Sequence, residues 1–387
     1  MGKACYNIGV LFSTSGPYGA VSRSMYNGTM LAFDEINASQ DYSFKINPVV
    51  ADPAGCFEQY AISSTDLLTK KNVRHVIGCY TSSSRKDVIP LFEKSDAFLW
   101  YPSHYEGFES SSNVVYTGAA PNQHIIPLVE FLLTHMGKRA YCIGSNYIWA
   151  WENSRILREA LFAAGGSVIA ERYAAVGDID LSTVISSILE ERPDFIFNTL
   201  IGTSAYHFFQ DFRAACLLHG IDQTSEMPVV GCSLSEPELT EIGPSAMDGH
   251  ISSSVYFSSI DTPANRRFVC AYRERWPDGP EASADAEASY VAVKLLAAAL
   301  AAAGSDDVNA VRRALPDLSV DAPQGAVRID GQTNHAFLTP RIGKSCASGR
   351  FDILWEADQP VAPDPYLIQT TPRFAMRTNV PKLKVVR

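Results

Sequence analysis

The chain has 387 residues, of which 46% are hydrophobic and 19% are charged, a composition typical of globular domains with buried cores. At roughly 100–200 residues per domain, this length predicts two or three domains. The formal net charge is −10, and the densest basic segment is the short tail 381–387, so direct binding to a nucleic-acid backbone is disfavoured because it depends on clustered lysine and arginine.

Short apolar segments alternate with longer amphipathic segments along most of the chain. The short segments predict strands over residues 8–12, 44–50, 73–77, 97–101, 140–143, 167–170, 195–198 and 229–231. The longer segments predict helices over residues 22–37, 56–71, 84–95, 123–135, 151–164, 181–191 and 205–219. This alternation favours right-handed βαβ units and parallel sheets. Because the units are too many for one sheet of ordinary width, we predict an α/β fold with two Rossmann-like lobes.

Two irregular segments, 118–122 and 252–259, are the predicted passages of the chain between the lobes. Asn122 is expected to cap the helix that follows the first passage, since its side chain can accept a hydrogen bond from the first helical turn. Asp261 is expected to cap the helix that follows the second passage, with Pro263 in the first turn.

The most apolar stretch, residues 286–303, is rich in alanine and contains Glu287 and Lys294. A membrane-spanning helix needs about 20 predominantly apolar residues. We therefore interpret this stretch as a buried or half-buried helix and predict no membrane span.

The cysteines and the N-terminus bear on the cellular compartment. The eight cysteines are scattered and include no CxxC pair, which favours free thiols in a reducing compartment. No signal-peptide pattern precedes the first predicted strand. Together these features predict a cytoplasmic protein; the alternative is a periplasmic protein from which a signal peptide has been removed.

Signatures of catalysis and of cofactor binding are missing from the sequence. No G-x-G-x-x-G, H-E-x-x-H or G-x-S-x-G pattern occurs, and the histidines are not paired at metal-binding spacing. Residues 343–345 resemble the end of a P-loop, but Leu338 stands where the phosphate cradle needs glycine. Cys79 directly follows an apolar run, so a packing thiol is favoured over a nucleophile. We therefore predict a protein that is not an enzyme and has no cofactor or metal.

Three clusters of polar and aromatic residues each follow a predicted strand, over residues 78–86, 100–108 and 144–151. Ligands of open α/β sheets bind at the carboxyl ends of the strands. We therefore expect the three clusters to meet in one cleft that binds a small polar molecule.

The chemistry of these clusters suits a neutral ligand. Aromatic rings can sandwich a planar group, and hydroxyls can both donate to a carbonyl oxygen and accept from an NH2 group. Carboxylates are few, and Glu106 is the main exception. In the first cluster, the simple capping of a helix by Ser83 or Ser84 is an equally good explanation of the hydroxyls.

Several longer motifs carry a resemblance to a known family: residues 76–82 with Arg85 and Lys86, and residues 105–109, 120–123, 256–263 and 321–325. With them the chain resembles the type I periplasmic-binding-protein family, from about residue 8 to residue 366. Within that family it is similar to the AmiC-like amide sensors of bacterial amidase operons and to the urea and short-chain-amide binding components of ABC transporters.

The resemblance implies two lobes with a ligand cleft between them, joined by three crossovers near residues 118–122, 250–258 and 326–330. The N-terminal lobe would be discontinuous, comprising residues 1–120 plus 253–327, and the C-terminal lobe would comprise residues 121–252 plus 328–387.

Carried over from the resemblance, the ligand contacts fall on Tyr80, Ser82, Tyr101, Ser103 and Tyr147, with Thr203 and Ser233 approaching from the second lobe. The sequence departs from the amide sensors at three places in this region. His104 stands where the sensors have proline, Trp149 where they have tyrosine, and Ser103 where they have threonine. These changes alter the size and polarity of the pocket, so the exact ligand stays open.

The leading functional interpretation is a regulator that responds to a short aliphatic amide or to urea. It would sequester a transcription antitermination partner when unliganded and release it on binding the ligand. The alternative is the extracytoplasmic substrate-binding component of an ABC transporter for urea or short-chain amides, and an amide hydrolase is a distant third. A homo-oligomer is left open.

Overall fold

The computed structural model describes residues 3–370. In chain order the strands are β1 (Ala4–Leu11), β2 (Phe44–Ala51), β3 (His75–Gly78), β4 (Phe98–Tyr101), β5 (Val114–Tyr116), β6 (Arg139–Ser145), β7 (Ser167–Ala174), β8 (Phe195–Thr199), β9 (Val229–Gly231), β10 (Ile251–Ser254), β11 (Ser319–Ala322), β12 (Gly325–Arg328), β13 (Arg341–Ser345) and β14 (Phe351–Glu356). The helices are α1 (Gly19–Ala38), α2 (Phe57–Thr65), α3 (Ser82–Ser95), α4 (Ile125–His135), α5 (Ile148–Ala163), α6 (Ser182–Glu191), α7 (Thr203–Leu218), α8 (Gln223–Glu226), α9 (Glu236–Ile242), α10 (Pro263–Arg275), α11 (Ala284–Ala303) and α12 (Val308–Ala314).

Two parallel-dominated sheets form the centres of two lobes, which confirms the predicted fold class. The first sheet has the order β2-β1-β3-β4-β5, and all of its strands are parallel. The second has the order β14-β13-β10-β9-β8-β6-β7, with an antiparallel hairpin of β13 and β14 at one edge. Strands β11 and β12 form a separate antiparallel hairpin.

The first sheet is covered by helices on both faces, which explains why its central strands are apolar throughout. Every residue of β3 and of β4 is buried, as expected for parallel strands with both faces covered. Helix α11 contacts β3, β4 and α1, while α2 contacts β1 and α3. A Cβ added to Gly28 of α1 would lie 2.2 Å from the carbonyl oxygen of Ala286, so glycine allows α1 and α11 to pack closely.

Helix α11 contains the alanine-rich stretch. Among the helices of residues 3–370 it is the one that is long and apolar enough to cross a membrane, and most of it is buried inside the protein. Its buried residues include Glu287, whose carboxylate accepts hydrogen bonds from the backbone and the side chain of Gln324. The structure therefore confirms the prediction of a buried core helix.

All eight predicted strands are present, with ends that differ by up to a few residues.

Three other predicted features differ from the structure. The segment 252–259 was expected to be irregular, but it begins inside β10. The side chain of Asn122 binds the backbone of Ala362 and of Asp364 and does not cap α4. Thr262, not Asp261, caps α10 by accepting a hydrogen bond from the backbone of Asn265.

The exact lobe boundaries stay a prediction. Helices α10 and α11 both contact α1 of the first lobe, whereas β13 and β14 belong to the second sheet. Residues 371–387, which the sequence places in the second lobe and which include the basic tail, lie outside the described residues.

Candidate functional site

The loop after β3 presents the first group of predicted site residues. Cys79 adopts a left-handed backbone conformation with φ of +63°, and it turns the chain sharply between β3 and α3. Thr81 caps α3, because its side chain accepts a hydrogen bond from the backbone of Ser84. The Ser84 hydroxyl in turn donates to the Thr81 carbonyl oxygen, at 2.9 Å. Ser84 therefore serves the helix end, while Ser82 lies at the first position of α3.

The loops after β4, β6 and β8 bring the remaining groups to the same place. Ser103 and His104 follow β4, Tyr147 and Trp149 lie at the start of α5 after β6, and Ile201 follows β8. The rings of Tyr147 and Trp149 are stacked with centroids 6.2 Å apart, and His104 meets Trp149 edge-on at 5.2 Å. Carboxyl ends of strands from both sheets thus face each other across the cleft.

A small cavity lies between the lobes at this point. It is lined by Tyr80, Ser82, Ser103, His104, Tyr147, Trp149 and Ile201. The volume of this cavity is about 10 Å³, close to the smallest volume that holds one water molecule. The lobes are therefore closed on each other, and in this closed form the cavity has room for about one water molecule, so a larger ligand would need the lobes to separate slightly.

A second cavity continues the cleft towards the crossovers. His104 lines both cavities, and the second is also lined by His124, Asp285 and Ser253. The Nδ1 atom of His104 lies 3.7 Å from a carboxylate oxygen of Asp285. Burial and the neighbouring His104 lower the pKa of His124 to about 3, so His124 is neutral in this wall.

Trp149 offers an unused hydrogen-bond donor in the wall of the first cavity. Its side chain is buried, and within residues 3–370 its indole Nε1 has no hydrogen-bond partner. Buried polar atoms in native proteins are usually paired with protein atoms, water or ligand. The indole N–H is therefore an unpaired, buried donor of a residue that lines the cavity.

A layer of charged side chains lies directly behind Ser82, and two of them, Arg85 and Glu106, are buried. The Arg85 guanidinium contacts Glu106 at 3.0 Å and Glu109 at 2.8 Å, and Lys86 contacts the same carboxylates at 3.2 and 2.6 Å. Burial raises the pKa of Glu109, but the charge of Arg85 and hydrogen bonds from both cations outweigh it and lower that pKa to about 2. The charge of Arg85 is therefore balanced within this layer and does not face the cavity alone.

Ser82 connects the charged layer to the cavity. Its hydroxyl donates a hydrogen bond to Glu106, and Arg85 Nη1 donates to the Ser82 oxygen at 3.3 Å. Ser82 is thus both a wall of the cavity and a partner of the ion pairs behind it.

Three of the predicted ligand contacts lie outside this cavity. The Tyr101 hydroxyl donates to the carbonyl oxygen of Tyr80 at 2.7 Å, so Tyr101 supports the loop from behind. Ser233 lines a separate small cavity beside β8 and β9. The backbone N–H of Thr203 donates to the carbonyl oxygen of Pro17 at 2.9 Å.

The contact of Thr203 with Pro17 joins the two lobes. Pro17 precedes α1 in the first lobe, and Gly202 precedes α7 in the second. Gly202 has φ of +61°, and a Cβ added there would lie 2.1 Å from the Pro17 carbonyl oxygen. We call Pro17, Gly202 and Thr203 the clasp. Arg155 of the second lobe also lies over the ring of Phe108 in the first, 5.2 Å from its centre.

Three residues of the cleft were not predicted from the sequence: Ile201, His124 and Asp285. Ile201 follows a predicted strand, so the rule that located the other clusters also applied to it. Asp285 is a carboxylate at the start of a helix that is otherwise largely apolar, which is a second usable signal. His124 gives no such signal, because its place beside His104 is set by tertiary packing.

The structure agrees with the interpretation of Cys79 as a packing thiol. Its side chain is buried, and burial raises its pKa to about 12, so the reactive thiolate is scarce near neutral pH. Within residues 3–370 no group of three or more His, Cys, Asp or Glu side chains is placed to hold a metal ion.

Comparisons with known proteins match nearly the whole chain. A family model described as a periplasmic binding protein domain matches residues 6–372. A Leu/Ile/Val-binding protein from Rhizobium johnstonii is 24% identical over 323 residues, covering 82% of this chain and 85% of that protein. A Leu/Ile/Val-binding protein homolog from Brucella abortus is 22% identical over 290 residues, covering 74% of this chain and 72% of that protein.

A limonene hydroxylase from Geobacillus stearothermophilus is a partial match. It is 30% identical over 122 residues, which are 32% of this chain and 22% of that enzyme. This chain therefore matches about a fifth of the length of that enzyme. The relatives that match most of the chain are binding proteins.

Solved structures share the fold at low sequence identity. A solute-binding protein of an ABC transporter from R. palustris, in complex with benzoate, has a TM-score of 0.82 at 19% identity and covers 93% of this chain and 98% of that chain. A branched-chain amino acid transporter substrate-binding protein from Streptococcus pneumoniae, in complex with isoleucine, has a TM-score of 0.77 at 20% identity and covers 93% of this chain and 100% of that chain.

These findings correct the predicted compartment and leave the regulator interpretation without support. The prediction of a cytoplasmic protein is wrong, since residues 6–372 match a family described as a periplasmic binding protein domain. The free cysteines did not indicate the compartment, because packing keeps a buried thiol free in any compartment. Four of them are buried: Cys79, Cys142, Cys216 and Cys232. The comparisons support neither an antitermination partner nor an AmiC-like sensor specifically. What they and the two-lobed fold show is that the chain belongs to the periplasmic binding protein family.

Proposed function

We propose that this protein is the extracytoplasmic substrate-binding component of an ABC transporter and that it binds a short aliphatic amide or urea. The family membership supports the transport role. The choice of ligand rests on the polarity of the first cavity. The benzoate and the isoleucine in the two structural neighbours carry a carboxylate, so a neutral ligand would distinguish this protein from both.

The observation that carries the proposal is the hydrogen bonding of Ser82. Its hydroxyl proton is directed to Glu106, so the oxygen can offer only a lone pair to a ligand. A ligand NH2 group fits that lone pair, whereas a carboxylate oxygen does not. Across the cavity, the unpartnered indole N–H of Trp149 fits a carbonyl oxygen.

Among residues 3–370, those that line the cavity include no lysine, arginine, aspartate or glutamate, and their one histidine, His104, lies beside the carboxylate of Asp285. The nearest buried cation, Arg85, is paired with two carboxylates. A charged ligand would lose its hydration on entering the closed cleft without gaining a partner of opposite charge there, which is costly. A planar neutral amide loses less, and the rings of Tyr80, Tyr147 and Trp149 can pack against it.

Isothermal titration calorimetry with matched ligands tests the proposal. Acetamide, propionamide and urea form the neutral set, and acetate, benzoate and isoleucine form the charged set. We expect at least one neutral ligand to bind and to be preferred over its carboxylate counterpart. Tight binding of benzoate or isoleucine together with no heat from the neutral set would refute the proposed ligand class.

A further inference from the structure

Glu106 lies one layer behind the cavity and does not line it. It is 2% exposed, and its Oε1 atom lies 3.0 Å from Arg85 and 3.2 Å from Lys86. A carboxylate that meets two cations at one oxygen is ionised, and an ionised carboxylate only accepts hydrogen bonds. The state of Glu106 is therefore fixed by its neighbours.

The other oxygen of Glu106, Oε2, contacts the Ser82 hydroxyl. Because Glu106 only accepts, the proton in this hydrogen bond must come from Ser82. A serine hydroxyl has one proton and two lone pairs, and Arg85 Nη1 donates to one of those lone pairs at 3.3 Å. One lone pair of Ser82 is left for the cavity.

We propose that Glu106 is the positioning residue that sets the ligand preference of this site. By taking the proton of Ser82, it makes the serine an obligatory acceptor and so selects ligands that present N–H over ligands that present a carboxylate. This inference rests on the proposed function and names the residue that controls it without touching the ligand.

The substitution Glu106→Gln reverses the polarity of Ser82 while it keeps the shape of the side chain. Arg85 and Lys86 hold the position of Oε1, so the glutamine oxygen is expected there and its NH2 group is expected to face Ser82. That NH2 donates to the serine oxygen and frees the hydroxyl proton for the cavity. We expect the ratio of acetamide affinity to acetate affinity to fall by at least about tenfold, the size of effect that one reversed hydrogen bond can cause.

Glu109→Gln is the matched control. It removes one negative charge from the same layer, and Glu109 also contacts Arg85 and Lys86, but within residues 3–370 it makes no hydrogen bond to Ser82. A general electrostatic gain for acetate would appear in both variants, whereas reversal of Ser82 would appear in Glu106→Gln alone. Calorimetry with acetamide and acetate, after circular dichroism has shown that both variants are folded, gives the two ratios.

The outcomes separate the inference from the proposed function. If the wild-type protein prefers acetate to acetamide, both are overturned. If the wild type prefers acetamide and Glu106→Gln keeps the ratio of Glu109→Gln, the role of Glu106 alone is overturned. If Glu106→Gln does not fold, Glu106→Asp decides, because it keeps the charge but withdraws the carboxylate from Ser82: a fall of the ratio that Glu109→Asp does not show supports the inference, and equal ratios in the two variants refute it.

Discussion

The clasp between the lobes makes Gly202→Ala an informative substitution. Gly202 has φ of +61° and ψ of −140°, a backbone conformation that essentially only glycine adopts freely. The Cβ of an alanine would lie 2.1 Å from the Pro17 carbonyl oxygen and 2.7 Å from its carbon. These are backbone atoms that no side-chain rotation can move away. In the closed protein, Pro17 and Gly202 would therefore have to separate.

The cost falls on the closed state. Separation removes the hydrogen bond from Thr203 to Pro17, worth about 1 kcal/mol, and the steric overlap adds about 1–3 kcal/mol. Because the ligand is enclosed only when the lobes close, a penalty of about 2–4 kcal/mol should raise its dissociation constant by roughly 30- to 1,000-fold. The backbone strain of alanine itself is present in the open and closed states alike and largely cancels.

Gly220→Ala provides the control for backbone strain. Gly220 also has a positive φ, +67°, but a Cβ added there meets nothing within 4 Å. Calorimetry should show weak binding for Gly202→Ala and nearly unchanged binding for Gly220→Ala, and small-angle scattering should show ligand-induced compaction only in the latter. Equal affinities of the two variants would mean that the clasp does not contribute to closure, and the reasoning would fail.

Three further predictions follow from the same structure. Ser82→Ala should raise the dissociation constant for the ligand by roughly 5- to 150-fold, since a lost hydrogen bond in a dry cleft costs about 1–3 kcal/mol. Ser84→Ala should have a much smaller effect, because the Ser84 hydroxyl binds the backbone of Thr81. Equal effects of the two substitutions by calorimetry would contradict this placement of the pocket. Burial raises the pKa of Glu236 and Glu287 to about 7 and that of Glu238 to about 8, from 4.5. The folded state therefore holds protons that the unfolded state has lost, and the free energy of unfolding should fall as pH rises from about 4.5 to 8, by up to about 1.4 kcal/mol per pH unit for each group. Urea denaturation at several pH values measures this, and Glu287→Gln should flatten the profile while the exposed Glu190→Gln should not; a flat wild-type profile would disprove it. Incubation with acetamide, propionamide or urea should release no ammonia above background, because the Cys79 thiol is buried with a raised pKa; turnover that disappears in Cys79→Ala would show the opposite.

The central parallel strands could be predicted because strands with both faces covered consist of continuous runs of apolar residues. Residues 97–101 were predicted as a strand, and β4 spans Phe98–Tyr101 with every residue buried. The hairpin of β13 and β14 has one partly exposed face and lacks that signal: of the six residues of β14, only Phe351 is buried. Strand β5 has three residues, too few for a pattern to stand out.

The position of the candidate site follows from a rule that can be applied to the sequence, whereas its hydrogen bonding does not. The rule that ligands bind at the carboxyl ends of strands located six of the seven residues that line the first cavity. The bond from Ser82 to Glu106 joins residues 24 positions apart, and no local pattern specifies such a contact. The sequence also does not give the direction of a side chain. Tyr101 ends an apolar strand, and only the structure shows that its hydroxyl supports the Tyr80 loop from behind.

The distribution of the polar groups between the lobes suggests an order of events during binding. The residues that fix the polarity of Ser82 are Arg85, Lys86, Glu106 and Glu109, and all belong to the first lobe. Ser82 therefore presents the same lone pair whether the cleft is open or closed. Trp149 belongs to the second lobe and would reach a ligand on the first lobe only when the lobes meet. We expect the NH2 group of an amide to be recognised first, on the open first lobe, and its carbonyl oxygen to be recognised on closure. A carboxylate would be rejected at the first step, before the clasp between Pro17 and Thr203 could form.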